Sequence, residues 1–250
     1  LINNKTFFVR QLFSLFIRSI NKLIFKFNKV LPRTGQIIVL YGTDGSGKTS
    51  ISNNIINSFC KIIPVSKVHL GKPFIGNNFI KKYLYKGNKF RNERGKNDDH
   101  NIILSILRTT ILSSLRLISS YYQFLKKTFG ILVISDRWPS MNPSIMDGPK
   151  IYTSKRFRLI VHFFNNLNLN IYKLIPKADL IIYLDVNLNI ILDRNKKRLD
   201  SEPEIFIKKR FNNIQEAKPK AKQIIKYKNN KDLENATNDC IKIITKFIET

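Results

Sequence analysis

The chain has 250 residues, of which 43% are hydrophobic, so its length favours one α/β domain, with or without an appendage, over two full domains. The 44 basic and 17 acidic residues give a formal net charge of +27, which attracts phosphates, nucleic acids and anionic lipids alike. The chain is also rich in Ile, Lys and Asn, as expected from an AT-rich genome, so charge alone does not indicate nucleic-acid binding. No specific nucleic acid is expected as a partner.

The cysteines and the N-terminal region favour a cytoplasmic protein. Cys60 and Cys240 lie far apart and form neither a CxxC pair nor a disulfide framework, which is typical of a reducing compartment. The longest uncharged run near the N-terminus, Gln11 to Ile17, is much shorter than the roughly 20 residues that span a bilayer. Basic residues interrupt this region and no small-residue cleavage site follows, so we expect neither a transmembrane helix there nor a signal peptide.

Residues 1–35 differ from the rest of the chain because they contain basic residues and no acidic residue. These basic residues are Lys5, Arg10, Arg18, Lys22, Lys26, Lys29 and Arg33. Apolar residues recur with approximately helical spacing, so we predict a basic amphipathic helical extension that ends at Pro32 and Gly35. Packing on the following domain or on a partner is the favoured interpretation. Peripheral contact with an anionic membrane, or disorder, are the alternatives.

A phosphate-binding loop follows the first predicted strand. Ile37–Tyr41 is a continuous apolar run typical of a buried parallel strand, and a helix is predicted from Lys48 to Ile62. Between them, GTDGSGKTS fits the pattern GxxxxGK[ST] without a mismatch. The residues expected around the phosphates of a nucleoside triphosphate are Gly42, Thr43, Asp44, Gly45, Ser46, Gly47, Lys48, Thr49 and Ser50. Lys48 would reach the β- and γ-phosphates, and Thr49 would offer its hydroxyl to Mg²⁺.

The rest of the chain alternates between predicted strands and helices. Further strands are expected at Val65–Leu70, Gly130–Ser135, Ala178–Val186 and Ile224–Tyr227. Helices are expected at Ile102–Phe129 with a break near Ser119–Ser120, and at Ser154–Leu167, Leu188–Leu199, Pro203–Lys218 and Asn238–Ile248. Loops are expected at Lys86–His100 and Pro139–Pro149. This order predicts an α/β fold with a doubly wound parallel sheet, whose ligands bind at the carboxyl ends of the strands.

The Asp136-Arg137 pair is the second element of the predicted site. Asp136 ends an apolar strand, where P-loop proteins keep the carboxylate that supports Mg²⁺, and Arg137 can hold the phosphate of an acceptor. An ordinary turn is the alternative, which the preceding strand and the P-loop disfavour. The histidines show no metal-ligand spacing and are interpreted as structural: His69, His100 and His162.

Three motifs resemble those of the thymidylate kinase family of P-loop nucleoside monophosphate kinases: GTDGSGKTS, SDRW and PKADLIIYLDVNLNIILDRNKKR. The resemblance runs from Gln36 to the C-terminus, so residues 36–250 are expected to form the kinase domain. It implies a five-stranded parallel core and transfer of the ATP γ-phosphoryl group to a nucleoside monophosphate, dTMP to dTDP, with Mg²⁺. It also implies a basic lid, at about residues 194–204, that closes over the ATP. A homodimer is left open.

The resemblance also implies roles for individual residues. Lys48 matches the phosphate-binding lysine of the family, and Asp136 and Arg137 match its Asp-Arg pair. Arg194 and Arg198 match the basic lid, where their four-residue spacing places both on one helix face and lets them neutralise charge on the transferring phosphoryl group. A solvated helix end is the alternative for these two arginines.

The expected acceptor site is formed by Asp44, Arg116, Arg137 and Trp138. The matching loop position is often acidic in the family, and the resemblance implies that Asp44 contacts the 3′-hydroxyl of the acceptor sugar, with a solvent-facing or loop-capping carboxylate as the alternative. The family also carries an arginine in the long helix at the acceptor, and Arg116 is preferred to Arg108 because it lies 20 residues before Asp136, which is close to the family spacing.

Three segments depart from the family pattern, so thymine recognition does not follow from the motifs. HLGKPFIG stands where the family carries a segment like REPGGT, PSMNPSIMDGP replaces a serine-rich AYQ segment, and Asp200-Ser201-Glu202 replaces the lid element DR-x-E. The segment DRWPSMNPSIMDGP is similar to a divergent branch associated with surface-polysaccharide genes. The alternatives are therefore a kinase of the same fold with a sugar- or lipid-linked acceptor, and a non-enzymatic nucleotide-binding protein.

Overall fold

The protein is represented by a computed structural model that describes residues 15–17, 19–25, 34–71, 73, 99–143, 145, 147–196, 202–215, 217, 219–230 and 232–249. Its strands are β1 (Ile37–Tyr41), β2 (Val65–Val68), β3 (Leu132–Ser135), β4 (Ala178–Asp185) and β5 (Ala221–Lys228). Its α-helices of nine or more residues are α1 (Lys48–Phe59), α2 (Asp99–Thr128), α3 (Arg158–Leu174), α4 (Leu188–Lys196), α5 (Glu204–Gln215) and α6 (Leu233–Glu249).

The strands form one five-stranded parallel sheet in the order β2-β3-β1-β4-β5, which confirms the predicted fold class. β1 lies in the middle, with Ile37 opposite Val133 of β3. Both strands are buried along their whole length, as expected of parallel strands that are covered on both faces. Because β1 and β3 are neighbours, the P-loop and Asp136 follow them side by side at the carboxyl edge of the sheet.

Alternate residues of β1 enter two apolar cores on opposite faces of the sheet. Ile38 and Leu40 pack with α1 and α6 on one face. Ile37 and Val39 belong to the second core, which also contains Trp138. Because the Trp138 side chain is only 1% exposed, the chain that leaves β3 is held against the sheet. This packing fixes the direction in which the preceding Asp136-Arg137 pair leaves the strand.

Helix α2 differs from its sequence prediction. It begins at Asp99, inside the expected loop, and it continues through Ser120 without the expected break. Ser120 Oγ donates to the carbonyl oxygen of Arg116 at 2.6 Å, so the serine hydroxyl is satisfied within the helix and does not interrupt it. The next helix, α3, begins later than expected, at Arg158, and extends to Leu174.

The C-terminal elements are longer than predicted. α6 begins before Asn238 because Asp232 Oδ2 accepts a hydrogen bond from the backbone N–H of Asn235 at 3.2 Å and so caps the helix. β5 covers Ala221–Lys228 because it pairs with β4 along its whole length. Its side chains are partly exposed, so the apolar run was visible only near its centre. The other elements match their predictions to within a few residues at each end.

The buried carboxylate of Asp179 connects several elements at the amino edge of the sheet. Its Oδ2 accepts a hydrogen bond from the backbone N–H of Ile37 at 2.9 Å, and Lys127 of α2 and Lys222 of β5 donate to Oδ1. Burial acts to raise the pKa of Asp179, but the hydrogen bonds from the two lysines outweigh it and the pKa is lowered. These contacts fix the start of β1 and thereby support the loop at its other end.

Large apolar side chains are exposed in several elements, including the N-terminal segment and α2. By length and composition, Ile102–Thr128 is the one helix in the described part of the chain that could cross a membrane, and a single such helix is weak evidence. It packs against α3 through Ile106. Near the N-terminus, residues 15–17 and 19–20 are helical and Asn21–Phe25 is a π-helical turn. Its exposed apolar residues are Leu15, Phe16, Leu23 and Ile24. The rest of the expected extension, apart from Thr34 and Gly35, lies outside the described residues, and its role stays a prediction.

Candidate active site

The P-loop has a backbone shape that depends on its glycines. Gly42 has a φ of 154° and Gly47 a φ of 90°, in the region that favours glycine. A Cβ atom at Gly42 would lie 2.8 Å from Ser46 Oγ and 2.9 Å from the carbonyl oxygen of Leu184, so a larger residue does not fit. Gly47 is the N-cap of α1, so the positive end of this helix opens onto the loop. This is the arrangement that the motif predicts for an anion site.

Lys48 is buried and folded back onto the loop. Its Nζ donates to the carbonyl oxygens of Gly42 at 2.8 Å and Thr43 at 2.6 Å, and it lies 3.6 Å from Asp44 Oδ1. Burial lowers the pKa of Lys48, and the Asp44 carboxylate opposes this shift. The loop carbonyls therefore hold the ammonium group at the place where phosphates are expected.

Asp136 meets the P-loop through Thr49. Thr49 Oγ1 donates to Asp136 Oδ2 at 3.2 Å, and His69 Nδ1 lies 2.6 Å from Asp136 Oδ1. Burial acts to raise the pKa of Asp136, but the hydrogen bonds with His69 and Thr49, together with electrostatic attraction from His69 and Arg137, outweigh it and the pKa is lowered. A hydroxyl and an ionised carboxylate are hard oxygen ligands of the kind that Mg²⁺ prefers. The donor set of these two residues therefore fits the expected metal.

Asp44 forms ion pairs with two arginines from distant parts of the chain. Arg137 NH2 donates to its Oδ1 at 3.0 Å, and Arg210 NH1 of α5 donates to its Oδ2 at 3.3 Å. Burial acts to lower the pKa of Arg137, but the carboxylates of Asp147 and Asp44 outweigh it and the pKa is raised. The acidic residue of the loop therefore holds two guanidinium groups in the site.

Asp147 connects Arg137 with Arg116. Its Oδ2 lies 3.4 Å from Arg137 NH1, and its Oδ1 lies 3.7 Å from Arg116 NH2. Arg116 also donates to the carbonyl oxygens of Leu70 and Gly71, at 3.3 and 3.1 Å, and so ties α2 to the chain that follows β2. Arg116 is thus connected to Arg137 through the Asp147 carboxylate, and its contact with an acceptor stays a prediction.

Two cavities meet at this cluster. One follows the P-loop and includes His69 and Glu202. The other has apolar and charged walls. The apolar lining residues of the second cavity are Tyr41, Trp138, Ile145 and Ile214. The lining residues common to both cavities are Asp44, Lys48, Asp136, Arg137 and Arg210. A compartment along the P-loop and a partly apolar compartment therefore share one charged boundary.

The expected lid region is partly described. Arg194 NH1 donates to the carbonyl oxygen of Gly45 in the P-loop at 3.0 Å. Arg198 lies outside the described residues. Asn195 Nδ2 donates to the carbonyl oxygen of Glu202 at 2.8 Å, and the backbone N–H of Glu202 donates back to Asn195 Oδ1 at 3.2 Å. These reciprocal hydrogen bonds join the end of α4 to the residue that precedes α5 by two positions.

Sequence reasoning missed several polar residues of the site, among them Asp147, Arg210 and Asn229. Asp147 lies in the segment after the Asp136-Arg137 pair, where the family carries acceptor-site residues, so a carboxylate there was a usable signal. Arg210 and Asn229 gave no such signal, because they are 166 and 183 residues away from the P-loop residues that they contact. Asn229 Nδ2 donates to the carbonyl oxygen of Ser46 at 2.9 Å and supports the loop from the end of β5.

Comparisons with known proteins give a match at the level of three-dimensional structure. No protein-family model matches the sequence, and no curated protein matches it. Thymidylate kinase from Candida albicans matches with a TM-score of 0.54 and 17% identity, over 85% of this chain and 92% of that chain. Deoxyadenosine kinase from M. mycoides, with dCMP and dCDP bound, matches with a TM-score of 0.50 and 17% identity, over 84% of this chain and 98% of that chain. The protein therefore has the thymidylate kinase-like P-loop fold that the motifs predict.

Proposed function

We propose that the protein is an ATP-dependent P-loop kinase that transfers the γ-phosphoryl group of ATP to a nucleoside monophosphate, with dTMP as the first candidate acceptor. The observation that carries this proposal is the charged boundary between the two cavities, where the P-loop and Asp136 face Arg137 and Arg210. One cavity has the backbone and the lysine that triphosphates require. The other combines apolar walls with cations, as a nucleobase attached to a phosphate requires.

The residues divide the work of phosphoryl transfer by position. Lys48 and Arg194 reach the donor side from the loop and from α4, and Arg137 binds the acceptor phosphate. Thr49 and Asp136 would hold Mg²⁺, which would supply positive charge next to the donor phosphates. Catalysis then consists of bringing donor and acceptor into line and stabilising the charge between them, because phosphoryl transfer requires little covalent chemistry from the protein.

The acceptor specificity follows from the second cavity. Tyr41 and Trp138 contribute aromatic side chains to the wall beside which a planar base would lie, and Asp147, which pairs with Arg137, adds a carboxylate to the same cavity. Asp44 stands at the boundary, where we expect it to meet a sugar hydroxyl. The deoxyadenosine kinase with a similar fold has dCMP bound as a product. Unphosphorylated deoxynucleosides, from which such a product forms, therefore belong among the acceptors to be tested.

The direct test measures ADP formation by the Mg²⁺-loaded full chain with dTMP, other nucleoside monophosphates, deoxynucleosides and sugar phosphates. We expect ADP formation to depend on an added nucleoside monophosphate and to disappear in Lys48→Met. The same compounds, added with a non-hydrolysable ATP analogue, should raise the melting temperature if they bind the folded protein. Indifference to every nucleoside monophosphate in both assays would refute the proposal.

A second candidate function is phosphorylation of a sugar- or lipid-linked acceptor by the same site. It is favoured by the missing thymine-site segments and by the exposed apolar side chains of the basic N-terminal segment, such as Phe16 and Leu23. Deletion of residues 1–34 separates the two candidates. A membrane-acceptor kinase would lose activity or vesicle binding, whereas a cytoplasmic nucleotide kinase would keep its activity.

A further inference from the structure

Arg210 lies on α5, after the expected lid, and reaches back to the P-loop. Its guanidinium group contacts Asp44 Oδ2 at 3.3 Å, Glu202 Oε2 at 2.6 Å and Glu202 Oε1 at 3.3 Å. It lines the phosphate cavity, the acceptor cavity and a smaller cavity next to Glu202. An arginine at this position can contact both the phosphoryl donor and the acceptor.

The partners of Arg210 indicate what its guanidinium group is arranged to bind. All three contacts are with carboxylate oxygens, and the planar fork of arginine fits carboxylate and phosphate oxygens in the same way. The Arg210 side chain is 32% exposed, so it is neither sealed in the core nor fully solvated. Phosphate oxygens brought to this boundary would be repelled by Asp44 and attracted by Arg210.

We propose that Arg210 is a further catalytic residue, which exchanges its carboxylate partners for oxygens of the phosphoryl group during transfer. The inference rests on the proposed kinase function. In the reaction, the bond between the γ-phosphorus and the bridging oxygen of ADP breaks, and a bond from that phosphorus to the acceptor oxygen forms. Arg210 donates N–H groups to the oxygens on which charge accumulates.

The arginines of the site approach the boundary from different elements in the described part of the chain. Arg194 donates to a backbone carbonyl of the loop and is thereby directed to the donor side. Arg137 pairs with Asp147 and also with Asp44, so it reaches the boundary from the end of β3. Arg210 reaches the same Asp44 carboxylate from α5 and is also held by Glu202, which forms two hydrogen bonds with Asn195.

The experiment compares Arg210→Ala and Arg210→Lys with Lys209→Ala, which removes the exposed neighbouring cation on the same helix. In the full chain with the acceptor found for the wild type, we expect Arg210→Ala to lower kcat by about 10²–10³-fold, with a much smaller change in the KM for ATP. Arg210→Lys keeps the charge but loses the fork, so it should remain strongly impaired. Lys209→Ala should behave like the wild type.

Two further readouts separate catalysis from folding. Added guanidinium ion should restore part of the activity of Arg210→Ala, which a purely structural defect would not allow. Melting temperatures of all variants check that each is folded. If Arg210→Ala does not fold, Arg210→Lys takes its place in the test. An active wild type whose Arg210 variants keep kcat within a few-fold overturns this inference alone. A wild type that transfers phosphate to no acceptor overturns the proposed function and this inference together.

Discussion

Thr49 and Asp136 are joined by a hydrogen bond of 3.2 Å although they lie 87 residues apart in the sequence. The contact exists because β1 and β3 are adjacent parallel strands, and the chain after each strand turns into the same edge of the sheet. It brings together a hydroxyl and a carboxylate whose ionised form is stabilised, which is the donor set that a magnesium site requires.

Asp136→Asn tests this pair. We expect a loss of activity of about 100-fold and a higher Mg²⁺ concentration for half-maximal rate, because an amide oxygen is a weaker ligand than a carboxylate. Kinase assays across a Mg²⁺ titration measure both effects. Asp193→Asn, an exposed acid on α4, is the matched control and should leave both unchanged. An unaltered Mg²⁺ dependence in Asp136→Asn would assign the metal to other ligands.

Asp44→Asn tests the acid inside the P-loop. The substitution removes the charge that holds Arg137 and Arg210, and charged hydrogen bonds of this kind contribute about 1.5–3 kcal/mol. We expect kcat/KM for the acceptor to fall by about 10- to 100-fold, whereas the affinity for an ATP analogue changes little. Steady-state kinetics and isothermal titration calorimetry give the two values. Equal losses in acceptor kcat/KM and in ATP-analogue affinity would mean that Asp44 maintains the conformation of the loop.

Asp179→Asn tests the amino edge of the sheet. Removing one partner from a buried ion pair costs about 3–5 kcal/mol in the free energy of unfolding, which urea titration at pH 7 would measure. Because the pKa of Asp179 is lowered in the folded state, its contribution is complete above the unfolded pKa of about 4. It is lost as the pH falls through the folded pKa.

The stability difference between the wild type and Asp179→Asn should therefore be constant near neutral pH and shrink in acid below about pH 4. Asp193→Asn is again the control, with little change in stability at any pH. A constant difference down to low pH would show that Asp179 acts through packing and neutral hydrogen bonds instead of its charge.

The two thiols should differ in reactivity. Cys60 is exposed, whereas Cys240 is buried, and its burial raises the pKa of the thiol to about 12. Since the thiolate is the reactive form, a disulfide reagent at pH 8 should modify one thiol per native chain and two after denaturation. Cys60→Ser should abolish the fast reaction of the native protein. Rapid modification of both thiols in the native state would indicate that α6 opens readily from the core.

The parallel sheet, which the sequence predicted correctly, follows from the order of strands and helices. The P-loop prediction also has a local signal, because the motif is a contiguous pattern next to an apolar strand. The predicted break in α2 was wrong. In the sequence, a pair of polar serines indicates an interruption of the helix, but the Ser120 hydroxyl donates a hydrogen bond to a carbonyl oxygen of its own helix. Element limits depend on such hydrogen bonds, which composition does not reveal.

The cation cluster at the cavity boundary could not be predicted in the same way. Arg210 lies on α5 among other basic residues, and nothing in its neighbourhood in the sequence distinguishes it from Lys208 or Lys209. Its position next to Asp44 results from how α5 packs beside the P-loop. Likewise, His69 has no metal-ligand spacing, and its contact with Asp136 arises because β2 lies next to β3. Such contacts between residues far apart in the sequence can be identified only from the folded structure.

Trp138 gives the protein a built-in optical probe. It is the single tryptophan of the chain, its indole N–H donates to the Pro176 carbonyl oxygen at 3.3 Å, and it forms part of the wall of the cavity proposed for the acceptor. All tryptophan fluorescence therefore originates from this wall. We expect stopped-flow emission to time the arrival of the proposed acceptor separately from that of ATP, without labels or coupled enzymes, and to show which of the two binds first.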